Sequence, residues 1–448
     1  MAERIIISGA GLAGSLLAVM LARRGMHVTV YEKRSDMRKI EQSAGRSINL
    51  ALADRGIAAL AHAGVMDQVR PLMLPMPGRM LHDKEGKLQF QRYSINPDEI
   101  NYSVSRGELN KALMDAAEAT GKVTLKFEHE IVDVDFDARS LAVRDLQANE
   151  LITEDNCRVI AADGAGSPVR HAMEKKLGID SHTDMLDHAY KELSIPPADD
   201  GGFRIDAEAL HIWPRGGYMV IALPNLDGSF TVTLFLASEG ETSFASIDTP
   251  ETVESFFKQE FADLHPLLPD LQEEYFGNPT GSLGTVRCQP WHVEDFAVLL
   301  GDAAHAIVPF HGQGMNCAFE DCLQLDQLIE SQGGDWSAIF PAFSELRKPN
   351  ADAIADMALD NYIEMRDSVR DPRFHLKKQL AFELEKRHPR AFIPRYSMVM
   401  FHPEIAYADA QARGKRQSDF LDRHIAGCNA LEDVDFPAVE AELDSLHG

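Results

Sequence analysis

The chain has 448 residues, of which 45% are hydrophobic and 25% charged, and its formal net charge is −26. At roughly 150 residues per domain this length predicts two or three domains, and the composition excludes a disordered chain. A strongly negative field repels phosphate backbones, which argues against nucleic acid and anionic membranes as partners. The sequence contains no run of the roughly 18 apolar residues that a membrane span needs. Five cysteines without a paired spacing predict reduced thiols in a cytoplasmic protein.

The N-terminal segment predicts a strand, a glycine-rich turn and a helix. The β-branched run 4–8 is typical of a buried parallel strand, and residues 15–24 predict a helix. Between them, Gly9, Gly11 and Gly14 form the pattern G-x-G-x-x-G. In such a pattern the first glycine permits a tight turn and the second lets the backbone approach a pyrophosphate. The third lets the helix pack closely on the strand.

A second predicted strand, 27–31, ends at Glu32. An acidic side chain at this point accepts hydrogen bonds from ribose hydroxyls, so the segment as a whole predicts a dinucleotide site. The alternative is a glycine-rich turn that binds nothing, which the surrounding strand, helix and acid disfavour. The motif alone does not separate FAD from NAD.

Two later strands also end in turns that carry an aspartate. The run 157–162 precedes Asp163, and the run 296–300 is followed by a glycine and Asp302. Each pair of aspartate and glycine by itself is most often only a turn. Together with the N-terminal motif, and in this order, they resemble the FAD-binding motifs of the single-component aromatic hydroxylases. The resemblance implies tightly bound, non-covalent FAD, with Asp302 at its ribityl and pyrophosphate region and Asp163 supporting the cofactor region. It also implies NADPH as a transient co-substrate without a domain of its own.

The middle and the end of the chain have different residue patterns. Alternating residues in 218–223 and 230–236 predict a β-hairpin within a mixed sheet, and from about residue 346 the composition predicts helices. We therefore predict an α/β fold: a Rossmann-like FAD-binding domain of the glutathione-reductase/hydroxybenzoate-hydroxylase type, a mixed β-sheet substrate domain and a C-terminal helical region. The predicted segments are 1–75, 100–178 and 286–345 for the first, 76–99 and 179–285 for the second, and 346–448 for the third.

Further blocks narrow the resemblance to one family of these hydroxylases. They occur from residue 5 to about residue 400 and are similar, in the same order, to blocks of the kynurenine 3-monooxygenases. The resemblance implies hydroxylation of L-kynurenine to 3-hydroxykynurenine with NADPH and O₂ through a flavin C4a-hydroperoxide, in tryptophan degradation and NAD biosynthesis. It implies no catalytic protein residue, because the chemistry is flavin-borne. The blocks are 45–52, 101–106, 210–215, 300–316, 361–366, 392–394 and Tyr396.

The resemblance places the substrate carboxylate at Arg79. A carboxylate near a flavin needs a cation, and a guanidinium offers two parallel donors. Tyr93 and Tyr396 are candidate hydroxyl donors to the same carboxylate, and Asn361 is a further polar contact. Any one arginine or tyrosine is more often a surface or packing residue, so these four predictions rest on the matched spacing.

An apolar wall is expected for the aromatic ring of the substrate. Ile221 and Leu223 share one face of a predicted strand and Phe235 lies on its partner, but alternation does not separate a pocket wall from a core. The other predicted substrate contacts are Pro309, Phe310 and His311 toward the flavin, and Glu364 and Met365 at the edge of the pocket. The predicted cofactor-binding residues are Gly9, Gly11, Ala13, Gly14, Tyr31, Glu32, Lys33, Arg34, Arg46, Ala51, Arg106, Ile131, Asp163, Asp302, Gly314, Met315 and Asn316.

The sequence departs from the family in two places. Relatives of mitochondrial membranes end in a hydrophobic helical segment, which this sequence lacks, so we expect no membrane attachment. His311 stands at a position where phenylalanine occurs in relatives, which changes the local polarity. The histidines form no metal-binding pattern, and we expect a structural role for His305. We expect a monomer or a homodimer.

Two alternative functions stay open at this point. The first is a related hydroxylase that acts on another aromatic carboxylate, such as a hydroxybenzoate, or on a quinolone. The second is a flavin-free binding protein on the same scaffold, as in the GDP-dissociation inhibitors, which the retained glycines and acids disfavour.

Overall fold

The computed structural model describes residues 4–39, 49–367 and 372–443, and for 365–367 it describes the backbone only. Two predicted site residues are affected by these limits. Arg46 lies outside the described residues, and so does the side chain of Met365.

Strands occupy the first two thirds of the described chain. They are β1 (Arg4–Ser8), β2 (His27–Glu32), β3 (Asn49–Leu52), β4 (Leu74–Met76), β5 (Gly78–His82), β6 (Leu88–Arg92), β7 (Asn101–Ser105), β8 (Val123–Phe127), β9 (His129–Asp135), β10 (Ser140–Asp145), β11 (Glu150–Glu154), β12 (Cys157–Ala161), β13 (Asp180–Ile195), β14 (Ala209–Pro214), β15 (Met219–Pro224), β16 (Phe230–Ala237), β17 (Gly281–Gln289), β18 (His292–Val293) and β19 (Ala297–Leu299).

Helices alternate with these strands and then replace them toward the C-terminus. They are α1 (Leu12–Arg23), α2 (Asp54–His62), α3 (Met66–Val69), α4 (Arg106–Ala119), α5 (Pro168–Leu177), α6 (Pro250–Glu260), α7 (Leu271–Gly277), α8 (Asp302–His305), α9 (Gly314–Ser331), α10 (Trp336–Asp367), α11 (Pro372–Arg387), α12 (Arg395–Phe401), α13 (Tyr407–His424) and α14 (Phe436–Glu442). Within the described residues, no helix combines the length and the apolar character needed to cross a membrane.

The chain divides into two compact units. The first unit comprises Met1–Met73, Ser103–Leu186 and Ser282–Ala355, and the second comprises Leu74–Tyr102, Asp187–Gly281 and Asp356–Gly448. The combination of α/β architecture, mixed sheet and C-terminal helices confirms the predicted fold class. The predicted domain boundaries stay a prediction.

The first unit contains a six-stranded sheet in the order β18-β19-β12-β1-β2-β8. Strand β1 is parallel to both β12 and β2, and β19 is parallel to β12. Ile5, Ile6 and Ile7 of β1 are fully buried, as the β-branched run predicts. The helix α1 begins at Leu12, three residues earlier than predicted, because Gly11 takes an extended conformation and acts as its N-cap. The carboxyl ends of the parallel strands meet at one edge of this sheet.

The second unit contains strands in the order β13-β16-β15-β14-β5-β6. The predicted hairpin is confirmed, because β15 and β16 pair in antiparallel fashion with Met219 opposite Phe235. Val220 and Leu234 belong to a core cluster with Phe257 of α6. A second core cluster of this unit joins α11, α13 and α14.

A long helix precedes and crosses the point at which the sequence predicts the C-terminal helical region. Helix α10 starts at Trp336 and continues through Pro341 and Pro349. Asp335 caps its first turn, since the Oδ1 atom of Asp335 accepts the backbone N–H of Ser337 at 3.1 Å. The two prolines hide this start in the sequence, because proline usually ends a helix.

A buried carboxyl on α11 makes the stability of the second unit depend on pH. Burial, and next the charge of Glu99, raise the pKa of Glu385 to about 7, against a partial lowering by Ser94. The folded state therefore binds a proton more tightly than the unfolded state does. The protonated carboxyl of Glu385 therefore contributes its full stabilisation of the folded state below its ordinary pKa of 4.5. This contribution is lost as the pH rises to about 7.

Glu385→Gln is expected to remove this loss. At pH 8 the free energy of unfolding of the variant should exceed that of the wild type by about 2 kcal/mol, which is measured as a higher urea midpoint. At pH 5 the difference should be smaller. The control is Glu432→Gln, at an exposed glutamate of the same unit. A stability difference that is the same at both pH values would contradict this assignment.

Candidate active site

The predicted cofactor motifs all lie at one edge of the six-stranded sheet. The strands β19, β12, β1 and β2 are neighbours, and their carboxyl ends lie within one residue of the same register. Asp302 follows the end of β19, Asp163 follows β12, the turn 9–14 follows β1, and Glu32 ends β2. Residues that are up to 293 positions apart in the sequence are thus brought to one edge. Ligands of open α/β sheets bind at this edge.

The glycine-rich turn has the shape that a phosphate-binding turn requires. Gly9 has φ +95°, and a Cβ atom there would lie 2.6 Å from the carbonyl oxygen of Ala162. A Cβ on Gly14 would lie 2.0 Å from the carbonyl oxygen of Gly9. At Gly11, in contrast, no atom of the described residues lies within 4 Å of such a Cβ. The backbone at Gly11 therefore presents an open face next to the N-terminus of α1, where a pyrophosphate can approach.

Side chains hold this turn in place from both sides. The Oε2 atom of Glu32 accepts the backbone N–H of Ala10 at 3.0 Å, and its Oε1 atom accepts the N–H of Arg34 at 2.9 Å. The carbonyl oxygen of Ala10 accepts hydrogen bonds from Ser15 Oγ and from Nδ2 of the buried Asn110. The sequence analysis missed Asn110, which lies on α4 and carries no motif that identifies it.

Asp163 provides a test of whether the edge suits a polar ligand. Ser8 Oγ donates a hydrogen bond of 2.6 Å to Asp163 Oδ2. Burial raises the pKa of Asp163, and hydrogen bonds from Ser167 and Ser8 lower it in part. The Oδ1 atom is buried and has no hydrogen-bond partner among the described residues. A buried acceptor without a donor is costly, and a bound cofactor with hydroxyl groups would supply the donor, so the site fits FAD.

Asn316 supports the site through its side chain. Its Oδ1 accepts the N–H of Ala53 at 3.0 Å, and its Nδ2 donates to the carbonyl oxygens of Ala51 and Gly312 at 2.9 and 3.0 Å. The amide group of Asn316 thus connects the start of α2 with the start of α9. The predicted contact of Asn316 with the cofactor would therefore involve its main chain.

The remaining predicted cofactor residues differ in their surroundings. The buried hydroxyl of Tyr31 donates to Glu154, and Ile131 is buried in β9, so both side chains pack inside the first unit. Their predicted cofactor contacts stay predictions. The others are Lys33, Arg34 and Arg106, which are exposed, and Ala13, Gly314 and Met315, which lie in the first turns of α1 and α9.

A buried network of charges lies behind the turn at Asp302. His305 Nε2 lies 2.6 Å from Asp321 Oδ2, and Arg347 Nε donates to Asp321 Oδ1 at 2.6 Å. Burial raises the pKa of Asp321, but His305 and Arg347 outweigh burial and hold it below the usual range. Ligand atoms of His305, Cys317 and Asp321 lie within 4.8 Å of one another. Because the Arg347 guanidinium already pairs with the carboxylate, these contacts support a structural role for His305.

In the second unit, three of the four predicted carboxylate-binding residues form one cluster. The guanidinium carbon of Arg79 lies 4.6 Å from the ring centroid of Tyr396 and 5.4 Å from that of Tyr93. The two rings stack at 5.5 Å with an interplanar angle of 16°. Asn101 Nδ2 donates to the Tyr396 hydroxyl at 3.3 Å. Strand β5 carries Arg79, and the pairing of β5 with β6 positions it.

The charges of this cluster suit an anion. Burial lowers the pKa of Arg79, but the hydroxyls of Tyr396 and Tyr93 and the carboxylate of Glu364 outweigh burial and raise it above the usual range. Burial, followed by the field of Tyr396, raises the pKa of Tyr93, so its phenol stays a hydrogen-bond donor. The buried Asn361 lies one turn before Glu364 on α10. The cluster thus offers a cation together with tyrosine hydroxyl groups.

The residues predicted to contact the aromatic ring of the substrate belong partly to the first unit and partly to the second. Ile221, Leu223 and Phe235 belong to the second unit and lie outside the core cluster that contains Val220 and Leu234. Since successive residues of a strand point to opposite faces, the three lie on the other face of the sheet, as a pocket wall would. The predicted residues Pro309, Phe310 and His311 belong to the first unit, where the last two are buried.

One charged residue of the second unit was missed by the sequence analysis. Lys378 Nζ donates a hydrogen bond of 3.0 Å to Gln91 Oε1, and Gln91 lies directly opposite Arg79 in the β5–β6 pair. Only the pairing register brings Lys378 near Arg79, and no local pattern distinguishes it from its neighbour Lys377.

Comparisons with known proteins agree with this geometry. Residues 3–357 match the family described as FAD binding domain. The "Kynurenine 3-monooxygenase" of Stenotrophomonas maltophilia (strain K279a) is 49% identical over 98% of this chain and 95% of its own length. The protein of the same name from Myxococcus xanthus (strain DK1622) is 47% identical over 97% of this chain and 93% of its own length.

Solved structures support the fold. A tetrameric form of 2-methyl-3-hydroxypyridine-5-carboxylic acid oxygenase matches with a TM-score of 0.66 at 21% identity, over 83% of this chain and 94% of that one. PqsL of P. aeruginosa, in complex with 2-aminobenzoylacetate, matches with a TM-score of 0.65 at 21% identity, over 82% and 97%. The glycine-rich turn, the acidic residues at the strand ends and the sequence identity of 47–49% over nearly the full chain all agree. The chain belongs to the kynurenine 3-monooxygenase family of FAD-dependent aromatic monooxygenases.

Proposed function

We propose that this chain hydroxylates L-kynurenine to 3-hydroxykynurenine in the cytoplasm, with NADPH and O₂ as co-substrates. The observation that carries the proposal is the Arg79 cluster, in a chain that is 49% identical to a protein named for this reaction. L-Kynurenine has a carboxylate, which needs a fixed cation, and an aromatic ring, which needs an apolar wall. The second unit supplies residues for both.

FAD would be held by the first unit through residues at the carboxyl edge of its sheet. The open backbone at Gly11 and the N-terminus of α1 suit the pyrophosphate, Glu32 suits a ribose, and Asp163 and Asp302 suit further hydroxyl groups. When bound, FAD supplies the redox chemistry that joins NADPH oxidation to oxygen transfer.

The protein's own residues have the tasks of binding, orienting and excluding water. The Arg79 guanidinium forms a charge-assisted pair with the substrate carboxylate, and the hydroxyls of Tyr93 and Tyr396 donate to the same group. The aniline nitrogen of the substrate itself activates the ring, so no protein base is required. Ile221 and Leu223 keep water from the ring, which limits the wasteful formation of peroxide.

The first experiment measures NADPH oxidation by the FAD-loaded protein with and without L-kynurenine, together with chromatography of the products. Stimulated oxidation with 3-hydroxykynurenine as product supports the proposal. Stimulation that yields only peroxide means that another aromatic compound is the substrate, and a panel of hydroxybenzoates and quinolones tests the candidates. A colourless protein that cannot be loaded with FAD would contradict the proposal entirely. Light scattering of the same sample tests the expected monomer or homodimer.

Asp302→Ala is expected to weaken FAD binding about 10-fold, since a buried ligand hydroxyl loses its charged acceptor. The measurement is the ratio of flavin absorbance to protein absorbance after purification, followed by titration of the apoprotein with FAD. Asp155→Ala, at an exposed aspartate of the same unit, is the control. A variant that retains FAD with wild-type affinity would reject this role of Asp302.

A further inference from the structure

Lys378 lies near the proposed carboxylate site, and one hydrogen bond connects it to the strand next to Arg79. Its Nζ atom donates to Gln91 Oε1 at 3.0 Å, and the backbone of Gln91 pairs directly with that of Arg79. The ammonium lies 5.9 Å from the ring centroid of Phe382 on its own helix. Helix α11 thus carries a half-buried cation to the strand pair that bears Arg79.

This pair of cations has no close carboxylate. Among the described residues, neither Arg79 nor Lys378 forms an ion pair within 4.0 Å, and the carboxylate whose charge acts on both is that of Glu364. Glu364 itself lies 3.9 Å from a third cation, Arg395. Burial, and next the charge of Arg79, lower the pKa of Lys378 to about 8, while Glu364 raises it in part. Glu364 compensates these two cations only in part, and an anion near both would add a counter-charge.

The neighbouring lysine shows what a structural lysine of this helix looks like. Lys377 donates to Ser418 Oγ and to the carboxylate of Asp422, each at 2.7 Å, and so ties α11 to α13. Within the described part of the chain, the hydrogen-bond acceptor of Lys378 is a neutral amide oxygen, which leaves two of its three N–H donors for another acceptor.

We propose that Lys378 is a second cation for the substrate carboxylate and a specificity-determining residue that favours ligands with a carboxylate over ligands that lack it. This proposal rests on the function proposed above. Arg79 orients the carboxylate through its planar donors, and Lys378 adds a mobile point charge from α11. The substrate carboxylate supplies a negative charge in addition to that of Glu364.

A dependence on pH follows from the same contacts. The charged groups that act on Lys378 are Arg79 of β5 and Glu364 of α10, while β6 presents the neutral Gln91 and α11 presents Phe382. Lys378 is protonated below pH 8 and becomes neutral as the pH rises through this value. The affinity for a carboxylate should therefore decrease above pH 8, because one of the two cations is lost.

The test uses the FAD-loaded protein and two ligands, L-kynurenine and its decarboxylated analogue kynuramine. The Kd of each is followed through the change in flavin absorbance at pH 7. Lys378→Met is expected to raise the Kd for L-kynurenine about 10-fold and to change the Kd for kynuramine less than about 2-fold. Lys386→Met, at an exposed lysine of the same helix, is the matched control and should change neither.

Lys378→Arg is the second variant, and it separates the charge from the shape of the side chain. It should retain most of the affinity for L-kynurenine at pH 7 and should lose less affinity than the wild type between pH 7 and pH 9. The comparison at each pH cancels the titration of the ligand itself.

Each alternative result has a distinct meaning. An equal loss for both ligands in Lys378→Met would assign a structural role to this lysine and overturn the proposal. An unchanged Kd for L-kynurenine would overturn it as well, while the proposed function stands if the wild type forms 3-hydroxykynurenine. A wild type that neither binds nor hydroxylates L-kynurenine would overturn the proposed function and this proposal with it.

Discussion

Arg79→Ala is expected to raise the KM for L-kynurenine at least about 100-fold while the protein keeps its FAD. The substitution removes a charge-assisted donor pair worth about 3 kcal/mol and leaves the carboxylate facing the two tyrosines without the guanidinium. Steady-state kinetics with L-kynurenine measure the effect, and the flavin absorbance spectrum checks that FAD is retained. Since Arg79 belongs to the second unit and the residues proposed to hold FAD belong to the first, FAD content should not change.

The control for Arg79→Ala is Arg92→Ala, at an exposed arginine of the neighbouring strand β6. It carries the same change of charge on the same sheet and should leave KM within about 2-fold, because exposed charges act weakly in water. Lys378→Met and Arg79→Ala should combine to less than the sum of their separate effects if both contact one carboxylate. A wild-type KM in Arg79→Ala would contradict the carboxylate assignment.

Gly14→Ala is expected to yield a protein that purifies without FAD or does not fold. Its new Cβ atom would lie 2.0 Å from the carbonyl oxygen of Gly9, so the glycine-rich turn or α1 must move. We expect a loss of stability of about 3 kcal/mol, which is typical of overpacking at a rigid contact. The measurements are the melting temperature of the apoprotein and its FAD content.

Gly11→Ala provides the matched comparison for Gly14→Ala. A Cβ atom on Gly11 meets no atom of the described residues within 4 Å, so the apoprotein should melt at the wild-type temperature. Its FAD affinity should nevertheless decrease, because the methyl group occupies the face where the pyrophosphate approaches. Equal melting temperatures for the apoproteins of Gly14→Ala and wild type would show that the close contact at Gly9 carries no steric cost.

The local patterns of the sequence predicted the elements around the cofactor edge well. Strand 4–8, the strand that ends at Glu32 and the β-hairpin of 218–236 depend on the period and β-branching of neighbouring residues, and all three are confirmed. Glycine spacing predicted the turn at Gly9, because only glycine tolerates φ +95° beside the carbonyl oxygen of Ala162. The first turns of α10 were not predicted, since proline within the helix masked them.

The grouping of distant side chains was decided by tertiary structure. The sequence by itself determined which residues are strands, turns and helices, and which turns carry glycine or acid, because these properties depend on near neighbours. Whether Ile221 faces a core, which residue supports Ala10, and which cation lies near Arg79 depend on sheet register and on helix packing. Asn110 and Lys378 carry no local signal, since their partners lie 100 and 287 positions away along the chain. Such partners come into contact only through the packing of strands and helices that are distant in the sequence.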